Sequence, residues 1–545
     1  MRINKSIIIK TIILIFSVSL ILTGCNSGSK KNETANLDEK ARYELDENTP
    51  AWKLDKKEEK TELTWYVNAE WWNTDFGNDT VTKKLSEDLN INIKFLNGDD
   101  TKLNTYFAGS DLPDIITIFG MESKTAKDAA KWALPLNDLA DKYDPYFYKV
   151  AQDQTLNWFQ LKDGKTYGYP SYSNTKEHYD SGAIPGNDAF IIREDIYKAI
   201  GSPDMTTPEG FLDALGKIKA QFPKVLPFGF KGFTAEGDAG SLHVTLQDYL
   251  GVPMVTEDGK WYNRNQDEDY QAWIKVINEA YRKGYISDDT FSDDGTLFEE
   301  KISQGKYATA LTGGIAQLYT HLQKNFSSNP SQKYIAIDGP KSTVGREPTL
   351  NQSGISGWSV TYISNKVKDP QKAIQLFTYL LSEEGQYLTT YGVEGETFKF
   401  NEEGKAELLP EVAKIKEENI DEYKSKYRLG EFWFFGHDTF AVEHGVVQPR
   451  ESVDQIMAWG TPYLTPHFAI ENIDPDQGTA ESRTLTNINS QWATTLAQLI
   501  RAKDDNAFEK TLNSYKKFLD ENNFDSIIKI RDQKVQDNME KLGLK

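Results

Sequence analysis

Cysteine is almost absent. Of 545 residues only Cys25 carries a thiol, so no intrachain disulfide and no multi-cysteine metal site can form. Long apolar runs are scarce: one lies at the N-terminus, shorter than the ~20 residues a membrane span needs, and none follows it. Positive charge is in deficit, with 62 Lys and Arg against 82 Asp and Glu and a formal charge of −20. Such a field repels phosphates, which argues against nucleic acid and anionic membrane surfaces as partners. Catalytic and nucleotide signatures are missing as well. There is no Walker A loop, no His-Glu-x-x-His helix and no dinucleotide fingerprint, and Gly354-Ile355-Ser356-Gly357 falls short of a Gly-x-Ser-x-Gly elbow. The six histidines (His178, His243, His321, His437, His444 and His467) are scattered without metal-ligand spacing. What remains is a chain 26% charged and 12% aromatic, the composition of a globular protein of two to four domains with a large core.

The N-terminus carries the sharpest local signal. Arg2, Lys5 and Lys10 precede an apolar run from Ile12 to Leu22, and Leu22-Thr23-Gly24-Cys25 closes it with small residues before the thiol. This pattern looks like a lipoprotein signal peptide over residues 1–24, with Cys25 as the lipidated first residue of the mature chain. Several acyl chains on one cysteine give stable anchoring, whereas a single chain gives only marginal binding. Residues 25–60 are polar, charged and without apolar periodicity, and read as a flexible tether.

Beyond the tether, strand and helix signals alternate. Leu63 to Val67, Ile91 to Leu96, Ile115 to Phe119 and Ala189 to Ile192 read as strands, and Val81, Leu85 and Leu89 form a helical stripe between the first two. Thr206 or Thr207 can cap the next long helix, with Pro208 in its first turn, Glu209 placed for a capping box, and Phe211, Leu212, Leu215 and Ile218 facing inward. Trp273, Ile277 and Tyr281 mark another core face, and the C-terminus is helical around Trp492, Phe508, Leu512 and Ile527. Strands alternating with helices imply an α/β sheet with parallel pairing.

The order of several short strings resembles the extracellular solute-binding proteins of family 1, the lipoprotein receptors of ABC importers for saccharides. These strings are Gly109-Ser110-Asp111-Leu112-Pro113-Asp114-Ile115-Ile116, Asp163-Gly164-Lys165-Thr166-Tyr167-Gly168-Tyr169-Pro170, Ile191-Ile192-Arg193-Glu194-Asp195, Ser382-Glu383-Glu384-Gly385 and Tyr391-Gly392-Val393-Glu394-Gly395. The resemblance implies an α/β, two-lobed, periplasmic-binding-protein-like fold of type II with a ligand cleft between the lobes. On that fold residues 61–170 begin the N-terminal lobe and 187–355 the C-terminal lobe. Residues 358–470 mainly return to the first lobe, and 475–545 add helices that pack on the second. Some large relatives carry an oxygen-rich calcium loop between the capped helix and the next strand. Here that interval reads Lys217 to Pro227 without a run of Asp or Asn, so no metal or other cofactor is expected. The acidic loop Asp288-Asp289 with Asp293-Asp294-Gly295 reads as a solvated surface turn.

A sugar-binding wall is expected to combine aromatic faces, which cover apolar pyranose C–H surfaces, with side chains that hydrogen-bond hydroxyls. Loops after strands supply the candidates. Glu70, Trp71, Trp72 and Asn73 follow the first strand directly, and Tyr172 and Tyr179 lie past the first proposed crossover. Trp358 stands at the return crossing, Trp433 in a dense aromatic run, and Trp459 and Tyr463 in a Trp-Gly-Thr-Pro-Tyr loop. Trp132, Trp273 and Trp492 sit at helical spacing with apolar neighbours and read as core. The reading is a monomeric, lipid-anchored receptor on the outer face of a cell membrane. It delivers an oligosaccharide to ABC permease subunits and binds no nucleic acid. The negative charge disfavours polyuronates, though Arg193 or Arg264 could override the global field locally. Two other classes remain open: a secreted glycoside hydrolase, which needs two carboxylates across a cleft, and a lipoprotein adhesin or peptide receptor, which needs fixed charges for peptide termini.

Overall fold

A computed structural model describes residues 35, 37, 39–120, 123–233, 239–350 and 354–544. Cys25 and the signal segment 1–24 lie outside the described residues. No helix among the described residues is long and apolar enough to cross a membrane.

Two sheets organise the chain. The first contains β1 (Thr61–Val67), β2 (Ile91–Asn97), β3 (Ile115–Phe119), β4 (Gly168–Pro170) and β9 (Ser359–Ile363), in the order β2-β1-β3-β9-β4. The second contains β5 (Asp188–Arg193), β6 (Leu226–Phe230), β7 (Tyr307–Gly313) and β8 (Tyr334–Ala336), in the order β6-β7-β5-β8. β1, β2 and β3 run parallel, as alternation with helices predicts, but β9 enters antiparallel between β3 and β4. In the second sheet β6 and β7 are parallel while β5 is antiparallel to both β7 and β8. Strand alternation cannot foresee this, because β5 and β9 each arrive by a crossing from the other lobe, not through a βαβ unit.

Local chemistry sets the elements. β1 is flanked on both edges, and six of its seven side chains from Leu63 to Val67 and Thr61 are at least partly buried. The helix Thr80–Leu89 is capped by Asp79, whose carboxylate accepts from the Thr82 amide at 2.8 Å; Val81, Leu85 and Leu89 face the core, and Asn90 ends the helix in a left-handed turn. In the second lobe Thr207, not Thr206, caps the helix Pro208–Gln221, accepting from the Gly210 amide at 3.1 Å. That places Gly210, not Glu209, at the third helical position, so the expected capping box is absent. A Cβ at Gly210 would lie 2.3 Å from the Asp204 carbonyl oxygen, which requires glycine there. Trp273 and Ile277 of the helix Glu268–Arg282 share a core with Trp492, Leu496, Phe508 and Ile527 from the three C-terminal helices Ala480–Ile500, Asp505–Glu521 and Phe524–Lys541.

The tether expectation fails for its C-terminal half. Residues 39–60 belong to the folded body: Trp52, in the short helix Ala51–Leu54, is buried edge-on against Tyr379 at 5.2 Å, and the buried Asp55 carboxylate pairs with Arg42 at 2.9 Å and Lys372 at 3.1 Å. The segment is held by ion pairs and one tryptophan, which leave no periodicity for sequence to reveal.

Candidate functional site

The carboxyl ends of β1 and β3 and the start of the antiparallel β9 converge at one edge of the first sheet, where open α/β sheets place ligands. Trp71 follows β1, Phe119 ends β3 and Trp358 precedes β9. Trp433, from the loop Glu431–Gly436, completes the group. Trp358 lies 4.6 Å from Trp433 and 5.0 Å from Phe119, and its ring is nearly parallel to that of Trp71 at 6.2 Å and 14°. Trp71 is 63% and Trp358 50% exposed, among the largest apolar side chains left in contact with solvent. Exposed apolar rings gathered in one patch are a feature of candidate binding surfaces.

Not every expected residue joins this wall. Trp72 is a correction: it is 4% exposed and belongs to the core, packed on Phe434 at 4.7 Å beneath the Arg428 guanidinium at 5.0 Å. The two residues lie in the turn after β1, which leaves Trp71 outward and turns Trp72 into the core. Glu70 and Asn73 are exposed beside the wall, but their carbonyls are engaged, by Asn97 at 2.9 Å and by Arg428 at 2.6 Å. Tyr172 lies near Trp433: its amide donates to the Gly436 carbonyl at 2.8 Å in a left-handed backbone conformation, and its ring packs where a Gly436 side chain would be. Burial, reinforced by Asp438 and Glu431, pushes its phenol up to about 12, so it stays a neutral donor. Tyr179 is turned away, edge-on to Phe468 at 5.8 Å. Trp459 and Tyr463 form a separate group in the second lobe, where Trp459 stacks on Tyr249 at 5.2 Å and donates to Asp338 at 2.9 Å, leaving one indole face covered. Trp132, Trp273 and Trp492 are buried.

The second lobe repeats the placement with different chemistry. A cavity of about 350 Å³ opens at the carboxyl ends of β6 and β7, lined among others by Lys231, Ser241, Thr245, Gly314 and Gln317. Sequence reasoning passed over these residues; the signal was the glycine-bearing strand ends Phe230-Lys231-Gly232 and Thr312-Gly313-Gly314. Asp188, at the start of β5, approaches so closely that a Cβ on Gly313 would lie 2.5 Å from its Oδ1. Burial and the charge of Asp248 push the Asp188 carboxyl up to about 7, against a hydrogen bond from the Gly314 amide. It can therefore donate or accept near neutral pH. Val244, 47% exposed, adds an apolar patch to this wall.

The two arginines that could favour an acidic ligand are committed elsewhere, although Lys231 lines the second-lobe cavity. Arg193 pairs with Asp195 at 2.6 Å and Arg264 with Asp248 at 2.6 Å, both arginines being largely buried. In the acidic loop Asp288, Asp289 and Asp294 are exposed, as a solvated turn requires, but Asp293 departs from that expectation: it is 3% exposed and accepts from Lys301 at 2.7 Å, while Asp294 caps the helix Gly295–Ser303. His178 and His437 lie 5.9 Å apart, and burial holds His437 down to about 4, neutral at physiological pH.

The sequence profile of the bacterial extracellular solute-binding proteins matches residues 70–387. Over 253 residues the chain is 23% identical to the fructooligosaccharide ABC transporter substrate-binding protein FusA of Streptococcus pneumoniae, a match spanning 43% of this chain and 46% of that protein, so it covers about half the length of that relative. An HMO binding, ABC-transporter-associated solute-binding protein from Bifidobacterium longum infantis shares the fold with a TM-score of 0.67 at 14% identity, covering 87% of this chain and 98% of the other. An EF-hand mutant of FusA in complex with fructo-nystose aligns with a TM-score of 0.63 at 18% identity, covering 88% and 99%. The connection where the sequence resemblance would put a calcium loop does not fit a calcium ion here. The link between the helix Pro208–Gln221 and β6 is a short turn, Phe222-Pro223-Lys224-Val225, with a cation and no carboxylate, and no cluster of three metal-ligating side chains occurs among the described residues. A chelator is therefore expected to leave the melting temperature unchanged, as followed by differential scanning fluorimetry with and without EDTA; a fall of several degrees would contradict this.

Proposed function

The chain belongs to the bacterial extracellular solute-binding protein family, and from that premise we propose that it is the capture subunit of an ABC importer for a neutral oligosaccharide. The observation that carries this reading is the ring group at the carboxyl edge of the first sheet, exposed Trp71 and Trp358 against half-buried Trp433 and Phe119. Aromatic faces take up the C–H faces of sugar rings, and Tyr172, Glu70 and the second-lobe groups Asp188, Thr245, Gln317 and Lys231 bond hydroxyls. Ligand that touches both lobes favours their closed arrangement by its differential affinity, and a permease reads that arrangement. Nothing in the cleft has to react. Cys25 would carry the lipid that keeps the receptor at the outer face of the cell membrane.

Neutral ligands are favoured because Arg193 and Arg264 are already paired, while Glu70, Glu431 and Asp438 flank the first wall. The expected result is stoichiometric binding of a neutral oligosaccharide that chromatography recovers intact, with a uronate chain of equal length binding at least tenfold more weakly, a difference of about 1.4 kcal/mol. Cleaved sugar would favour a hydrolase, and equal affinity for the uronate would overturn the neutral-ligand assignment.

A further inference from the structure

Trp358 is half exposed, flanked by Trp433, Phe119 and Trp71, and preceded by Gly357, where a Cβ would lie 2.1 Å from the Ser171 carbonyl oxygen. The course of the backbone that carries it helps to set where the ring stands. In the crossing segment before it, the Ile355 and Ser356 amides donate to the carboxylate of Glu471, at 2.9 and 2.8 Å, where a strand would offer carbonyls. Gly354 leaves the room for this: a Cβ there would stand 1.9 Å from Glu471 Oε1. The Ser356 hydroxyl is fixed in turn by the Trp158 indole at 3.0 Å and the Asn472 amide at 2.8 Å.

The same carboxylate-bearing residue is tied to both lobes. Its carbonyl accepts from Asn538 at 2.8 Å, on the C-terminal helix Phe524–Lys541 whose Phe524 and Ile527 sit in the second-lobe core. The end of that helix reaches the first lobe, where Lys541 donates to the Trp158 carbonyl and Leu542 packs against the cluster containing Trp158, Ile355 and Tyr362. Burial raises the Glu471 pKa against the Ser356 hydroxyl and the two amide bonds, a cost that an ordinary backbone pairing would avoid.

We infer that Glu471 is a positioning residue for the Trp358 face: it holds the segment 354–356 in the one course that presents the ring, from a point where the C-terminal helix joins the two lobes. This rests on the aromatic-wall reading above. The test is a double-mutant cycle with Glu471→Gln and Trp358→Ala, reading the dissociation constant for the bound neutral oligosaccharide by titration calorimetry on the purified protein. Glutamine can accept only one of the two amides and turns its own NH2 toward the other. Glu471→Gln is expected to weaken binding roughly tenfold in the wild-type background and to have no further effect beside Trp358→Ala, a coupling of the size seen for residues in one network. Equal weakening in both backgrounds, or none in either, would overturn the inference. If Glu471→Gln does not fold, Ser356→Ala reads the same coupling with a smaller effect, since it removes the hydroxyl that bonds Trp158, Asn472 and Glu471 and leaves both amide bonds to the carboxylate in place. Failure of the wall reading is distinguishable, because then Trp358→Ala itself would leave the affinity unchanged.

Discussion

Trp358→Ala is expected to weaken glycan binding by about 2 kcal/mol, roughly thirtyfold in Kd, while leaving the melting temperature nearly unchanged. The ring is half exposed, so its removal costs the fold little, yet it contacts Trp71, Trp433 and Phe119 and forms the centre of the wall. Trp71→Ala removes a more exposed ring at the same edge and should act in the same direction. Trp72→Ala provides the control. It takes a buried ring out of the packing around Phe434 and Arg428, so it should lower stability by about 3–5 kcal/mol. A Trp358 variant with unchanged affinity, measured by calorimetry, would remove the first wall from the account.

Asp55→Ala should produce a comparably large loss of stability, about 3–5 kcal/mol in denaturant titration, because it strands buried charge. The Asp55 side chain is fully buried and Lys372 is 2% exposed at 3.1 Å, with Arg42 at 2.9 Å and Gln375 at 3.1 Å completing the shell. Asp369 repeats the pattern with Arg42 and Lys57, both at 2.9 Å. Burial alone would raise the Asp55 pKa, but hydrogen bonds from Arg42 and Gln375 and the charge of Lys372 overcome it and hold the carboxyl well below the usual range. A depressed folded-state pKa contributes stability that is complete above the unfolded value of about 3.9 and disappears as pH falls toward the folded one. The gap between wild type and Asp55→Ala should therefore be full at pH 7 and shrink below about pH 4. A gap under about 1 kcal/mol at pH 7 would mean that Lys372 and Arg42 find water when the carboxylate is gone.

Periodicity made the regular elements legible: the stripe Val81, Leu85, Leu89 and the strand Ile115 to Phe119 occupy the structure as their spacing requires. What sequence could not show depends on partners distant in the chain. The antiparallel course of β5 and β9 follows from crossings between lobes, and the ordering of residues 39–60 follows from ion pairs to Asp369 and Lys372, more than 300 positions away. The site divides the same way. Loop position after a strand pointed to Trp71 and the return crossing to Trp358, but neither could separate outward Trp71 from inward Trp72, nor see that Trp459 stacks on Tyr249. The polar second-lobe wall went unnoticed because glycines and a lone lysine carry no pattern until β6 and β7 are side by side.

The central claim, that the protein is a receptor for a neutral oligosaccharide, is tested most directly by its melting temperature against a panel of neutral glycans, uronate chains and peptides. The account predicts a saturable rise with one neutral series, since ligand at 100 times its dissociation constant adds about 2.7 kcal/mol of stability. Stabilisation by peptides with no response to any neutral glycan would contradict it.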